Sequence, residues 1–129
     1  MQKSHRFRLS GALLALSAVL LGAFGAHALK DTLIAHDTVS TWETAVRYQM
    51  WHALALLLLS VMHTQHALPR SIGACFIGGV LLFSGSLYLL ALGGPKWLGP
   101  ITPLGGLCLI VGWALLVRAC FVSKSELKC

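Results

Sequence analysis

The sequence predicts an all-α membrane protein, four transmembrane helices in an antiparallel, up-down-up-down bundle. Apolar residues make up 57% of the 129 and charged residues only 11%, against about 25% charge in an average soluble domain. Mean hydropathy is +0.77. Four apolar runs, at about residues 9–29, 45–62, 71–92 and 101–121, each approach the ~20 residues that carry a helix through ~30 Å of hydrocarbon. The connections are short or moderate, so consecutive helices are neighbours that cross at about 20°. A soluble domain of this size could not cover four such helices with so few charges. Residues 1–129 therefore read as one integral membrane domain.

The first run carries Gly11, Ala15, Ala18, Gly22 and Ala26 at steps of three or four, a single helical stripe on which another backbone can approach closely. Its start also resembles a secretory signal, with basic KSHRFR, an apolar stretch and Ala26-His27-Ala28 as an A-x-A site. The stretch is longer than the usual 7–15 residues (roughly) of such a segment, and the charge pattern is better explained if it is retained. It is expected to stay as the first span.

The connection over about residues 30–44 holds three of the four acidic residues. Ser40-Thr41-Trp42-Glu43 fits a capping box that starts the second helix near Thr41 and leaves Trp42 at the membrane interface. The third run has two adjacent small-residue lines, Ala74-Gly78-Gly85 and Cys75-Gly79-Ser86, which predict packing on two sides. GGPKWLGP from Gly93 to Pro100 reads as a tight interfacial turn held by Lys96 and Trp97. Thr102-Pro103 then reads as the N-cap and first residue of the fourth helix.

Net charge is +6, but the cations flank the apolar runs and form no stripe, so nucleic acid is not an expected partner. Lys3, Arg6, Arg8, Arg70, Arg118, Lys124 and Lys128 fall on one face; Lys30, Arg47 and Lys96 fall on the other. This bias places both termini in the cytoplasm, with the chain in the cell inner (plasma) membrane. Cys75, Cys108, Cys120 and Cys129 show no C-x-x-C spacing, and neither a disulfide nor a metal site is expected.

Ionisable groups within spans are functional candidates because burying them unpaired is costly. Glu43 and Arg47 are four apart and can pair. Tyr48 and His52 share the adjacent face, with Gln49 beside them. His27 from the first helix, Ser84, Ser86 and Tyr88 from the third, and Thr102 from the fourth complete a predicted polar cluster in the outer half of the bundle. The predicted packing positions are Gly11, Ala15, Ala18, Gly22, Ala74, Gly78, Gly79 and Gly85.

LGAFGAHAL (21–29), YQMWHALALL (48–57), LFSGSLYLLALGG (82–94) and ITPLGG with GWALL (101–116) together resemble the YgdD-like family of small membrane proteins. The resemblance spans nearly the whole chain. It implies a multi-pass inner-membrane protein with an uncleaved N-terminus, related to a small mitochondrial transmembrane protein of animals. It implies no activity and so no catalytic residues.

Three functional classes stay open. The favoured one is a non-enzymatic accessory or structural component that lies in the bilayer and binds a second copy or another membrane protein, without a cofactor. The second is an oligomeric transporter of protons or a small solute through the polar cluster. The third is a haem- or quinone-associated subunit, for which His27 and His52 are the available ligand pair. Hydrolysis has least support, since no nucleophile-base arrangement is present.

Overall fold

A computed structural model describes residues 2–65 and 68–126. Lys128 and Cys129 lie outside the described residues, as do the side chains of Lys3 and Lys124. The helices are α1 (Gln2–Ala26), α2 (Lys30–Ala35), α3 (Val39–Gln65), α4 (Arg70–Ala91) and α5 (Ile101–Glu126), with a 3₁₀ turn at Lys96–Leu98. Four helices are long and apolar enough to cross a membrane: His5–Ala26, Val39–His63, Arg70–Ala91 and the 27-residue stretch Lys96–Val122.

Two bounds differ from expectation. The first helix stops at Ala26 rather than near residue 29, where the Leu29 N–H turns back to the Phe24 carbonyl at 2.8 Å. The second spanning helix begins at Val39, so Ser40 lies inside its first turn and the capping box does not form; the Glu43 carboxylate goes to Arg47 instead. Between them sits α2, a short helix that the sequence disguised as a polar connection.

Helix α2 ends in a Schellman motif. The Thr38 N–H bonds Leu33 O at 2.9 Å and the Asp37 N–H bonds Ile34 O at 3.0 Å, with Asp37 at φ +53°. Helix α4 ends the same way, with Gly94 to Leu89 at 2.8 Å, Gly93 to Leu90 at 3.0 Å and Gly93 at φ +85°. Gly93 suits its left-handed backbone, whereas Asp37 carries a Cβ there. The two ends meet: the Thr38 hydroxyl donates to Ala91 O at 2.7 Å and the His36 ring sits against Gly93.

Each spanning helix packs chiefly on its neighbours in sequence, and in the α1–α3 and α4–α5 pairs the contacts run in opposite directions. Gly11 meets Ala53 and Leu57 while Gly22 meets Val46 and Gly25 meets Trp42, so α1 descends α3 as its numbers rise. Along α4 and α5, Gly112 meets Phe76, Gly79 meets Leu109, and Gly105 lies against the backbone of Phe83. Small residues thus set the separation of both pairs, as expected where lipid removes the hydrophobic drive between helices.

The interior is an apolar cluster of Leu56, Leu59, Ile72, Phe76, Val80 and Leu109, with a second cluster of Leu33, Trp42 and Ala91 at the α2 end. Large apolar side chains also point outward on all four spanning helices, for example Leu16, Trp51, Leu81 and Ile110. Such a surface would aggregate in water and matches hydrocarbon.

Candidate functional site

Gln49 stands at the centre of the polar interior. It is buried on α3, and its amide donates to Ser17 Oγ at 2.7 Å and to Leu14 O at 3.0 Å, both on α1. Its carbonyl accepts from the Tyr88 hydroxyl on α4 at 2.8 Å. One side chain therefore joins three helices with every polar atom used. Nearer the α2 end, Ser84 donates to Ala45 O at 2.8 Å, and the Trp42 indole N–H donates to Leu21 O at 2.9 Å. Trp42 is buried in the first turn of α3, with its ring edge-on to Tyr88.

His52 lies one turn further along α3, midway through the span Val39–His63. Its Nε2 accepts from the Trp113 indole N–H on α5 at 3.0 Å. An indole nitrogen only donates, so the ring proton is on Nδ1, which donates to Tyr48 O at 2.7 Å. The ring packs edge-on against Phe76, and the Tyr48 ring tilts on Phe83 with centroids 4.5 Å apart. Ser86 and Thr102 share a hydrogen bond of 2.6 Å between α4 and α5. Thr102 is thus drawn into a helix contact, one residue inside the helix that Ile101 begins, and not used as the N-cap.

The structure brings Tyr48, Gln49, His52, Ser84, Ser86, Tyr88 and Thr102 to the helix interfaces, as four separate sets of bonds rather than one pool. It leaves three predicted members outside. His27 is exposed in the turn after α1 and does not face His52, whose ring nitrogens are both engaged. Glu43 and Arg47 form an exposed ion pair at 3.0 Å. Ser17, Thr38 and Trp113 were not foreseen as partners. Ser17 lies one residue before Ala18 of the small-residue stripe, and that adjacency was the available signal.

Of the packing positions, Gly11, Ala18 and Gly22 face α3, with Ala15 half-buried beside them. The stripe then passes to Gly25, against the Trp42 indole, and Ala26 is exposed. On α4, Gly79 is buried against α5, whereas Ala74 is exposed and a Cβ at Gly78 or Gly85 would meet nothing within 4 Å. The Ala74-Gly78-Gly85 line is therefore not a close-packing line, although α4 does pack on two sides, against α3 and α5.

Beside Trp42, between α1, α2 and the start of α3, is a cavity of about 380 Å³. Gly22, Gly25, Leu33, Ile34, Val39 and Val46 give it apolar walls, and Lys30, Glu43 and Arg47 complete its lining. No group of three or more His, Cys, Asp or Glu that could hold a metal occurs among the described residues.

Comparison with known proteins gives a consistent picture. The chain is similar to a UPF0382 membrane protein of Staphylococcus aureus (strain bovine RF122 / ET3-1), 45% identical over 116 residues, covering 89% of this chain and 94% of the relative. It is 44% identical to a UPF0382 membrane protein of Staphylococcus saprophyticus, covering 89% and 96%. To the UPF0382 membrane protein YwdK of Bacillus subtilis (strain 168) it is 41% identical, covering 88% and 94%. No solved structure matches. The family described as "Protein of unknown function (DUF423)" matches residues 21–106, which take in the α1 end, the cavity, Gln49, His52 and the α4–α5 turn. The chain therefore belongs to the DUF423 family of small membrane proteins.

Proposed function

We propose that the protein is a non-enzymatic component of the bacterial inner membrane, a scaffold helix bundle with both termini in the cytoplasm. The observation that carries this is that six polar side chains at the helix interfaces are closed on the bundle itself, His63 Nδ1 at the far end of α3 being buried without a partner. Gln49, His52, Ser84, Ser86, Tyr88 and Thr102 each bond another helix or a backbone carbonyl. Catalysis or proton transfer calls for a group that turns toward substrate or water. Bonds that tie α1, α3, α4 and α5 together instead fix one arrangement of helices. The orientation is supported by Arg6, Arg8, Arg70 and Arg118 at one end, against Lys30, Arg47 and Lys96 offset by Asp31, Asp37 and Glu43 at the other.

The test is reconstitution in liposomes that contain a pH-sensitive dye. Proton flux under an imposed gradient is expected to equal that of empty liposomes and to be unchanged by His52→Ala. A flux above background that falls in His52→Ala or Gln49→Ala would overturn the scaffold reading in favour of conduction.

A further inference from the structure

The cavity beside Trp42 has a use that the helix-joining bonds do not explain. We propose that it is a phospholipid site, in which one acyl chain lies along Gly22, Gly25, Leu33 and Val46 and the lipid phosphodiester is held by Lys30 and Arg47. The recess lies where Gly22 and Gly25 let α1 close on Val46 and Trp42 in the first turns of α3, with Lys30, Leu33 and Ile34 of α2 completing its wall. Its volume of about 380 Å³ lies within the range of about 300–1,000 Å³ typical of small-ligand sites. Trp42 makes a fixed wall, because its N–H is tied to Leu21 O.

Three features select the occupant. The outer lip is formed by Ile34 and Val39, exposed apolar residues just outside and at the start of the α3 span, so the recess opens at the edge of the membrane. Apolar walls repel water, which would find few partners there, and accept an acyl chain. Lys30 stands outside the spans, where a headgroup would lie, and Arg47 lines the same cavity. Lys30 follows the end of α1 by four residues, and Arg47 lies two turns into α3.

The third feature is charge. Glu43 is bonded to Arg47, and among the described residues no carboxylate comes within 4.0 Å of Lys30. Two cations and one anion leave a single positive charge on the lining, matching the single negative charge of a phosphodiester. Asp31 and Asp37 belong to the same connection but do not line the cavity. The guanidinium holds Glu43 through Nη2, and its other N–H groups remain to meet phosphate oxygens. The site depends only on membrane residence, and holds for either orientation of the termini.

Native mass spectrometry of the full chain, released from detergent containing phosphatidylglycerol, phosphatidylethanolamine or oleate, tests this. One phospholipid per chain is expected with either headgroup, and oleate should be held less tightly. Lys30→Glu should weaken retention about tenfold, the loss of one charge-assisted contact, while Lys96→Glu on the other connection leaves it unchanged. Ala26→Phe and Val39→Phe, at exposed positions of the lining that tolerate a larger side chain, should abolish it without lowering the unfolding temperature of lipid-free protein. Equal retention by wild type, Lys30→Glu and both filled variants would mean annular lipid only and overturn the proposal. Oleate held as tightly as phospholipid would overturn the phosphate assignment, and a lipid-free dimer that the filled variants dissociate would replace the lipid with a second copy.

Discussion

Gln49 shows what one amide does where water is absent. Its three bonds join α3 to two other helices, α1 and α4, and in lipid the alternative to such a bond is a bare polar group. Gln49→Leu keeps the volume roughly constant but leaves the Tyr88 hydroxyl and Ser17 without this partner. With each interhelical bond contributing about 0.6–2 kcal/mol, the variant should lose about 2 kcal/mol, as measured by unfolding in mixed detergent and SDS. Asp37 predicts the opposite sign. A non-glycine residue at φ +53° gives up roughly 1 kcal/mol relative to glycine, so Asp37→Gly should raise stability in the same assay. The sequence made the importance of Gln49 legible, since a polar side chain inside a span must find partners. It hid two of those partners: Leu14 contributes only a carbonyl, which every residue possesses, and Ser17 is an unremarkable helix residue until α3 is laid beside it.

At the scale of the helix, the small residues of α4 separate into working and idle positions. A Cβ at Gly79 would run into the Leu109 side chain and one at Gly105 into the backbone of Phe83, whereas one at Gly78 or Gly85 would meet nothing. Gly79→Ala and Gly105→Ala should therefore each cost about 1–3 kcal/mol by overpacking. Gly78→Ala and Gly85→Ala should each add about 0.5–1 kcal/mol through helix propensity alone. The comparison is read as detergent unfolding of the four single variants. Periodicity placed both lines on α4 correctly, but it could not say which line faced α5, because neighbouring residues lie only about 100° apart around a helix. The helix starts were misread for a related reason. Ser40 and Thr102 have the right chemistry for caps, yet turn geometry fixed at Asp37 and the contact between Ser86 and Thr102 decided where those residues lie.

Over the whole molecule, the presence of four spans was legible because hydropathy reports directly on the solvent. Orientation rests on charge, and it can be measured. In a variant without the native cysteines, a cysteine at Lys96 should react with a membrane-impermeant maleimide in intact cells, and one at Arg70 only after permeabilisation. The reverse pattern would invert the topology without altering the fold.

The meeting of the α2 and α4 ends has a mechanical consequence. Thr38 and His36 stitch that end to Ala91 and Gly93 with polar contacts, while at the far end the Phe7 ring simply rests on Gly73. In a bilayer, acyl chains can replace an apolar contact at little cost, but nothing there replaces a lost hydrogen bond. The α2 end is therefore expected to hold more firmly than the Phe7 end, where the ring packs on Gly73 and edge-on to His63. Spin-label distances should be narrow between positions 38 and 91 and broad between positions 7 and 73, with the looser end on the side that carries most of the positive charge.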